Sequence, residues 1–119
     1  MKKGYFLTRS LFVWGIQCHK SLWLHRYHPE LASLPDEGLM ARLEEGVAVG
    51  RVAHQLFPGG RDIRLEASTL PHRLWLTQKL MALGVPTLYD AAFSFDGVSV
   101  FPDILQYGRH GWALYDVKS

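Results

Sequence analysis

The sequence has one cysteine, Cys18, among its 119 residues. A single thiol cannot close a disulfide within the chain, so no disulfide framework is expected and a reducing, cytoplasmic setting is the default. Long apolar runs are missing too: none approaches the roughly 18–20 residues of a membrane span. The apolar residues after Met1-Lys2-Lys3 are interrupted early by Thr8, Arg9 and Ser10, which argues against a signal peptide. There are no repeats and no low-complexity linker. Excess charge of one sign is also scarce, at a formal net +2 and a sequence pI of 8.8. That balance permits nucleic-acid binding without arguing for it, because local clustering matters more than the total. Lys2, Lys3, Arg9, Lys20 and Arg26 make the N-terminal segment basic, a pattern that a solvated surface explains as well as a phosphate track does.

What is present suits one domain spanning residues 1–119, with 48% hydrophobic residues and room for a modest core. Residues 4–7 read as a strand or an extended lead-in. Ser10 is a candidate N-cap for a helix to about Tyr27, with Leu11, Trp14, Cys18, Leu22 and Trp23 as its inward stripe. Pro35-Asp36 opens a second helix that ends near Leu56, with Leu39, Leu43, Val47, Gly50 and His54 on one face. Phe57-Pro58-Gly59-Gly60 is turn chemistry. A short strand is expected over residues 61–65. A third helix starts at Thr69 or Leu70, with Pro71 at its first position and Gly84 just past its end. Three strands follow. The order predicts an α+β fold, with N-terminal helices packed on a three-stranded antiparallel meander. Because the last residues are a strand with nothing after it, the pattern reads as the front part of a larger α/β layer, truncated after its third core strand.

The chemistry concentrates in that meander. Gly108-Arg109-His110-Gly111 is a turn, and a hairpin symmetric about it sets Asp103 opposite Asp116. Asp116 and Lys118 share a face, while Tyr115 and Val117 point the other way. Asp96-Gly97 is a tight-turn signal; folding about it pairs Asp90 with Asp103. Asp90, Asp103 and Asp116 then form a row, beside Ala92, Ser94, Ser99, Phe101 and Lys118. The other face, with Ala91, Phe93, Phe95, Val98, Val100, Ile104, Tyr115 and Val117, is expected to pack on the core. Pro102 has no N–H and can interrupt the ladder. Opposed carboxylates repel, and a divalent cation with oxygen ligands would offset that repulsion. His54, on the core face of its helix, could add an imidazole ligand, and Lys118 could stabilise charge on a phosphate.

These residues resemble the PD-(D/E)XK nuclease superfamily, in its RecB-like branch. Gly50-Arg-Val-Ala-His54 is similar to that branch's GxxxH helix motif, Asp103 in Val100-Phe-Pro-Asp103-Ile to its central acid, and Asp116-Val117-Lys118 to its DxK. Cys18-His-Lys-Ser-Leu-Trp-Leu resembles the opening of CRISPR-associated RecB-like exonucleases. The resemblance implies a Mg²⁺- or Mn²⁺-dependent deoxyribonuclease, exonuclease-like, acting on DNA. In it His54, Asp103, Asp116 and the backbone carbonyl of Val117 would ligate the metal, and Lys118 would be the catalytic lysine. Asp90, from the strand row alone, reads first as a structural residue and second as a further metal ligand. The sequence departs from the family after that lysine. The crossover helix, the following strand, the QxxxY motif and the three further cluster cysteines have no counterpart here. A [4Fe–4S] cluster would therefore need cysteines from outside this chain to join Cys18, and the isolated chain is expected to be weakly active or inactive.

Simpler readings compete with these. Cys18 reads as a small buried hydrophobe, His25 and His28 as surface residues without a second pair for zinc, and Trp14, Trp23 and Trp75 as core. The function has two expectations of different class: a metal-dependent nuclease, or a non-catalytic remnant binding nucleic acid or a partner protein. An exposed last strand would also favour self-association.

Overall fold

Asp96 and Gly97 both adopt positive φ, 48° and 77°, the backbone of a tight two-residue hairpin turn, and one long hairpin grows from it. In the computed structural model, which describes residues 7–118, β3 (Phe93–Phe95) pairs with β4 (Val98–Val100), and further out β2 (Thr87–Tyr89) pairs with β5 (Ile104–Gly108) in the same continued register. The ladder breaks between the two halves. Asp90 is left-handed at φ 51°, and Pro102 supplies no donor; the last bond before the break is Asp90 N–H to the Asp103 carbonyl, 3.0 Å. The register expected from the sequence survives Pro102, but the meander splits into two sheets.

The larger sheet has the order β1-β2-β5-β6. β6 (Gly111–Tyr115) runs antiparallel to β5 around Arg109-His110, and β1 (Arg61–Asp62) adds a parallel edge to β2. The expected strand over residues 61–65 is only these two residues; Asp62 caps a short helix, α4 (Ile63–Glu66), by accepting from the Arg64 and Leu65 N–H groups. The long helix α5 (Leu70–Ala82) begins at the Thr69 cap with Pro71 in its first turn, and Gly84 follows it at φ 78°, as the sequence predicts.

Alternation divides the core. Leu88 and Leu105 face α4 and α5, joining Ile63, Ala67, Leu76, Leu80 and Ala91. Their neighbours Tyr89 and Ile104 point to the opposite face, where they meet Ala53 of α3 (Glu37–Leu56), with Phe57 and Val117 beside them. Thr77, fully buried, ties the ladder break to α5: its hydroxyl donates to the Arg73 carbonyl at 2.8 Å and accepts from the Ala92 N–H at 3.0 Å.

Several expectations are corrected. The first helix is two: α1 (Arg9–Gln17), capped by Thr8 rather than Ser10, and α2 (His19–Tyr27). Cys18 sits between them in extended conformation, and its Sγ accepts from the Ser21 N–H at 3.4 Å. It is exposed rather than buried. Trp14, Trp23 and Trp75 are exposed as well, as are Leu39, Leu43 and Val47 of α3. In β3 and β4 the expected core face is buried only at its base: Phe93 packs on the core, but Phe95 is 85% exposed, with Val98 and Val100 outward, and Ser99 on the other face is 1% exposed. The ladder breaks at Asp90 and Pro102, and strand parity carried through the break does not decide burial beyond it. Of the lead-in over residues 4–7, only Leu7 lies within the described residues; it bridges to Val98. No helix among the described residues is long and apolar enough to cross a membrane.

Candidate active site

The β5–β6 register pairs Ile104 with Tyr115, so Asp103 and Asp116 are the next residues on facing strands. The Asp103 carboxyl is near enough to Asp116 to act on its ionisation. Asp103 Oδ2 also accepts from the Val117 N–H at 2.7 Å, which fixes the carboxylate across the strand end. Lys118 turns back onto Asp116, Nζ to Oδ2 3.0 Å.

A fourth group was not foreseen from the sequence. Leu7 hydrogen-bonds the outer hairpin, its N–H to the Gly97 carbonyl at 2.7 Å and its carbonyl to the Ser99 N–H at 2.9 Å. This anchors the start of α1, and Arg9 then reaches Asp116 Oδ2 at 2.9 Å. The only sequence signal for Arg9 was membership of the basic N-terminal segment. Thr8, Arg9 and Ser10 form one wall of a cleft of about 640 Å³; Ser99 to Asp103, Leu114 and Asp116 to Lys118 form the rest. The Lys118 ammonium bonded to Asp116 holds that carboxyl below its ordinary value; burial opposes it next, and the Asp103 carboxyl and the charges of Lys118 and Arg9 add to the lowering. The resulting stability is present above pH 3.8 and is lost as pH falls through the lowered value. It is modest, because the Asp116 side chain is about half exposed.

His54 does not join this group. Its ring stacks on Tyr89, centroids 3.9 Å apart and 7° from parallel. Tyr89 belongs to the Ile104 face of the sheet, whereas Leu114, Asp116 and Lys118 alternate onto the other. The Tyr89 hydroxyl holds the helix end in place, shared between the carbonyls of Phe57 and His54 and accepting from the Gly60 N–H at 3.0 Å. Tyr89 was also not foreseen as a positioning residue. Asp90 follows Tyr89, and its N–H bonds the Asp103 carbonyl at 3.0 Å. Burial first, then the nearby Asp62, raise its pKa; the charges of His54 and Arg64 oppose this, and Asp103 adds a further rise.

The structure thus gathers Asp103, Asp116, Val117 and Lys118, and leaves His54 stacked on Tyr89. No three histidine, cysteine, aspartate or glutamate side chains among the described residues stand together closely enough to hold one metal ion. The opposed carboxylates are hard oxygen donors of the kind Mg²⁺ or Mn²⁺ takes, so the donor set fits in kind and lacks the third side chain that the sequence reading supplied from His54. Cys18 lies on the α1–α2 junction with no second cysteine in the chain, so this chain alone does not furnish the ligands of an iron–sulfur cluster.

Asp90 gives a prediction that is independent of any metal. An acid with a raised folded pKa binds its proton more tightly in the folded state, so its ionisation costs stability as pH rises from 3.8 through the raised value. Asp90→Asn removes that cost and keeps a residue that tolerates φ 51°. Thermal denaturation should show a gain on the order of a few °C at pH 7, shrinking to nothing below pH 3.8. A gain that does not vary with pH would assign the effect to something other than the carboxylate.

Comparison with family models, curated proteins and solved structures finds no match for this chain.

Proposed function

We propose that this chain is a nuclease-type domain of the PD-(D/E)XK kind, whose acid–lysine cleft addresses the phosphodiester backbone of DNA. The observation that carries the reading is the meeting of Asp103, Asp116 and Lys118 at one strand end, in a cleft. Arg9 and the N-terminal turn of α1 add positive potential on the facing wall, which favours a phosphate. A Mg²⁺ or Mn²⁺ ion held by Asp103, Asp116 and the Val117 carbonyl would supply Lewis-acid activation of the phosphoryl group and of water. Lys118 places a mobile ammonium where negative charge grows on the phosphate, and Arg9 positions a phosphate oxygen. A cytoplasmic setting, where the exposed Cys18 thiol stays reduced, accords with this function.

A specific observation favours the second reading, a non-catalytic nucleic-acid or protein-binding domain of the same fold. Arg9 and Lys118 already neutralise Asp116, and His54 is committed to Tyr89 on the other face.

Metal binding separates the two. Titrating Mn²⁺ into the protein should raise the melting temperature by mass action, saturating only at millimolar concentrations because two carboxylates make a weak site. Asp116→Asn should abolish the rise, and Lys118→Met should keep it. No response to Mn²⁺ in the parent protein would remove the nuclease reading and leave the binding one.

A further inference from the structure

We propose that the first three turns of α3 are a homodimer interface, closing antiparallel on a second copy of this chain around Leu43. α3 has 20 residues, and Ala53 is its one buried residue. Its C-terminal turns meet the sheet through Ala53, and His54, which lies on the Leu43–Val47 stripe, stacks on Tyr89. The same apolar stripe continues toward the N-terminus as Leu39, Met40, Leu43 and Val47, which are 44%, 46%, 55% and 52% exposed. One helix face is therefore covered at one end and bare at the other, although its sequence pattern does not change.

The area uncovered matches a dimer. A compact monomer of 13.6 kDa exposes roughly 6,600 Å², and this chain exposes 9340 Å². Its radius of gyration is 16.3 Å, against roughly 13.5 Å for a compact domain of this length. Stable homodimers bury on the order of 1,000–2,500 Å² per protomer; the excess, to which side chains such as Phe12, Trp23 and Leu114 contribute beside those of α3, leaves room for one such contact.

The flanking charges select the partner and its direction. At 100° per residue, Glu37, Glu44 and Arg51 lie along one border of the stripe. None of them makes an ion pair within the chain among the described residues. An antiparallel two-fold beside Leu43 sets Leu43 against its own copy, Met40 against the second copy's Val47, and Glu37 near the second copy's Arg51. The opposite border is Leu39 and Gly46, and Gly46 allows the backbones to approach closely. Opposed helix dipoles add to the preference. Glu44 alone meets its own copy near the axis, a like-charge contact.

Sedimentation equilibrium on the whole chain tests this. The parent protein should be a dimer. Leu43→Asp should be monomeric with an unchanged far-UV circular dichroism spectrum. Arg51→Glu should weaken association roughly tenfold, Glu37→Arg with Arg51→Glu should restore it, and Glu44→Gln should tighten it. A monomeric parent protein at 100 µM, or failure of the double exchange to restore association, would overturn the proposal. So would a dimer that survives Leu43→Asp and is lost on Leu114→Lys, which would move the contact to the sheet edge at β6.

Discussion

Gly60→Ala should destabilise the fold by roughly 3 kcal/mol, enough to lower the melting temperature on the order of 10 °C. A Cβ at this position would lie 2.8 Å from Tyr89 Cε2 and closer still to two other carbons of that ring. The ring cannot move aside. Tyr89 is buried, its ring is stacked on His54, and its hydroxyl is bonded to the Gly60 N–H and to two carbonyls at the end of α3. Gly59 is the internal comparison. It has φ 81° but open space around it, so Gly59→Ala should cost only about 1 kcal/mol of backbone strain. Tyr89→Phe should fall between them, at about 1–3 kcal/mol, because it leaves the Gly60 N–H without its partner. Urea denaturation of the three variants gives the order directly. If Gly60→Ala proves no worse than Gly59→Ala, the ring is not the clamp described here.

That clamp shows what the sequence could and could not reveal. The fold class was legible because turn chemistry is local. Asp96-Gly97 and Arg109-His110 fixed both hairpin registers, and Asp36, Thr69 and Gly84 fixed helix ends. Helical periodicity was a poorer guide to burial. It identifies a face that would be buried if something covered it, and Trp14 and Trp23 of α1 and α2 and most of the α3 stripe are uncovered among the described residues. The uneven burial of β3 and β4 was illegible for a related reason. The ladder breaks beside Asp90, left-handed at φ 51°, and burial beyond the break is set by what lies over each strand rather than by parity.

The candidate site divides along the same line. Asp103, Asp116 and Lys118 meet because one hairpin register places all three. His54 comes from an element 49 residues earlier than Asp103, and no local rule decides which sheet face its helix end reaches. Tyr89 decides it, through hydroxyl contacts to the carbonyls of His54 and Phe57 that no spacing rule encodes. Arg9 depends similarly on Leu7 bridging to Val98.

Asp103→Asn should separate the chemical part of this cleft from its structural part. The amide oxygen can still accept from the Val117 N–H, now at 2.7 Å, and the amide nitrogen can donate to Asp116. The backbone link from Asp90 N–H to the carbonyl of residue 103 is untouched. Folding stability should therefore change by less than about 1 kcal/mol, with relief of the like-charge contact offsetting any loss. Asp103→Ala lacks the acceptor and should cost about 1–2 kcal/mol. The functional readouts should move in the opposite order to stability. Asparagine removes the charge that a divalent ion requires, so the Mn²⁺-induced rise in melting temperature should disappear. Any DNA hydrolysis should fall by at least about 100-fold. DNA binding measured in EDTA should meanwhile tighten, because one negative charge leaves a cleft already bearing Arg9 and Lys118. A variant that keeps the full Mn²⁺ response would show that Asp103 serves only to tie β5 to the residues after β6, and the cleft would then be a binding surface rather than a catalytic one.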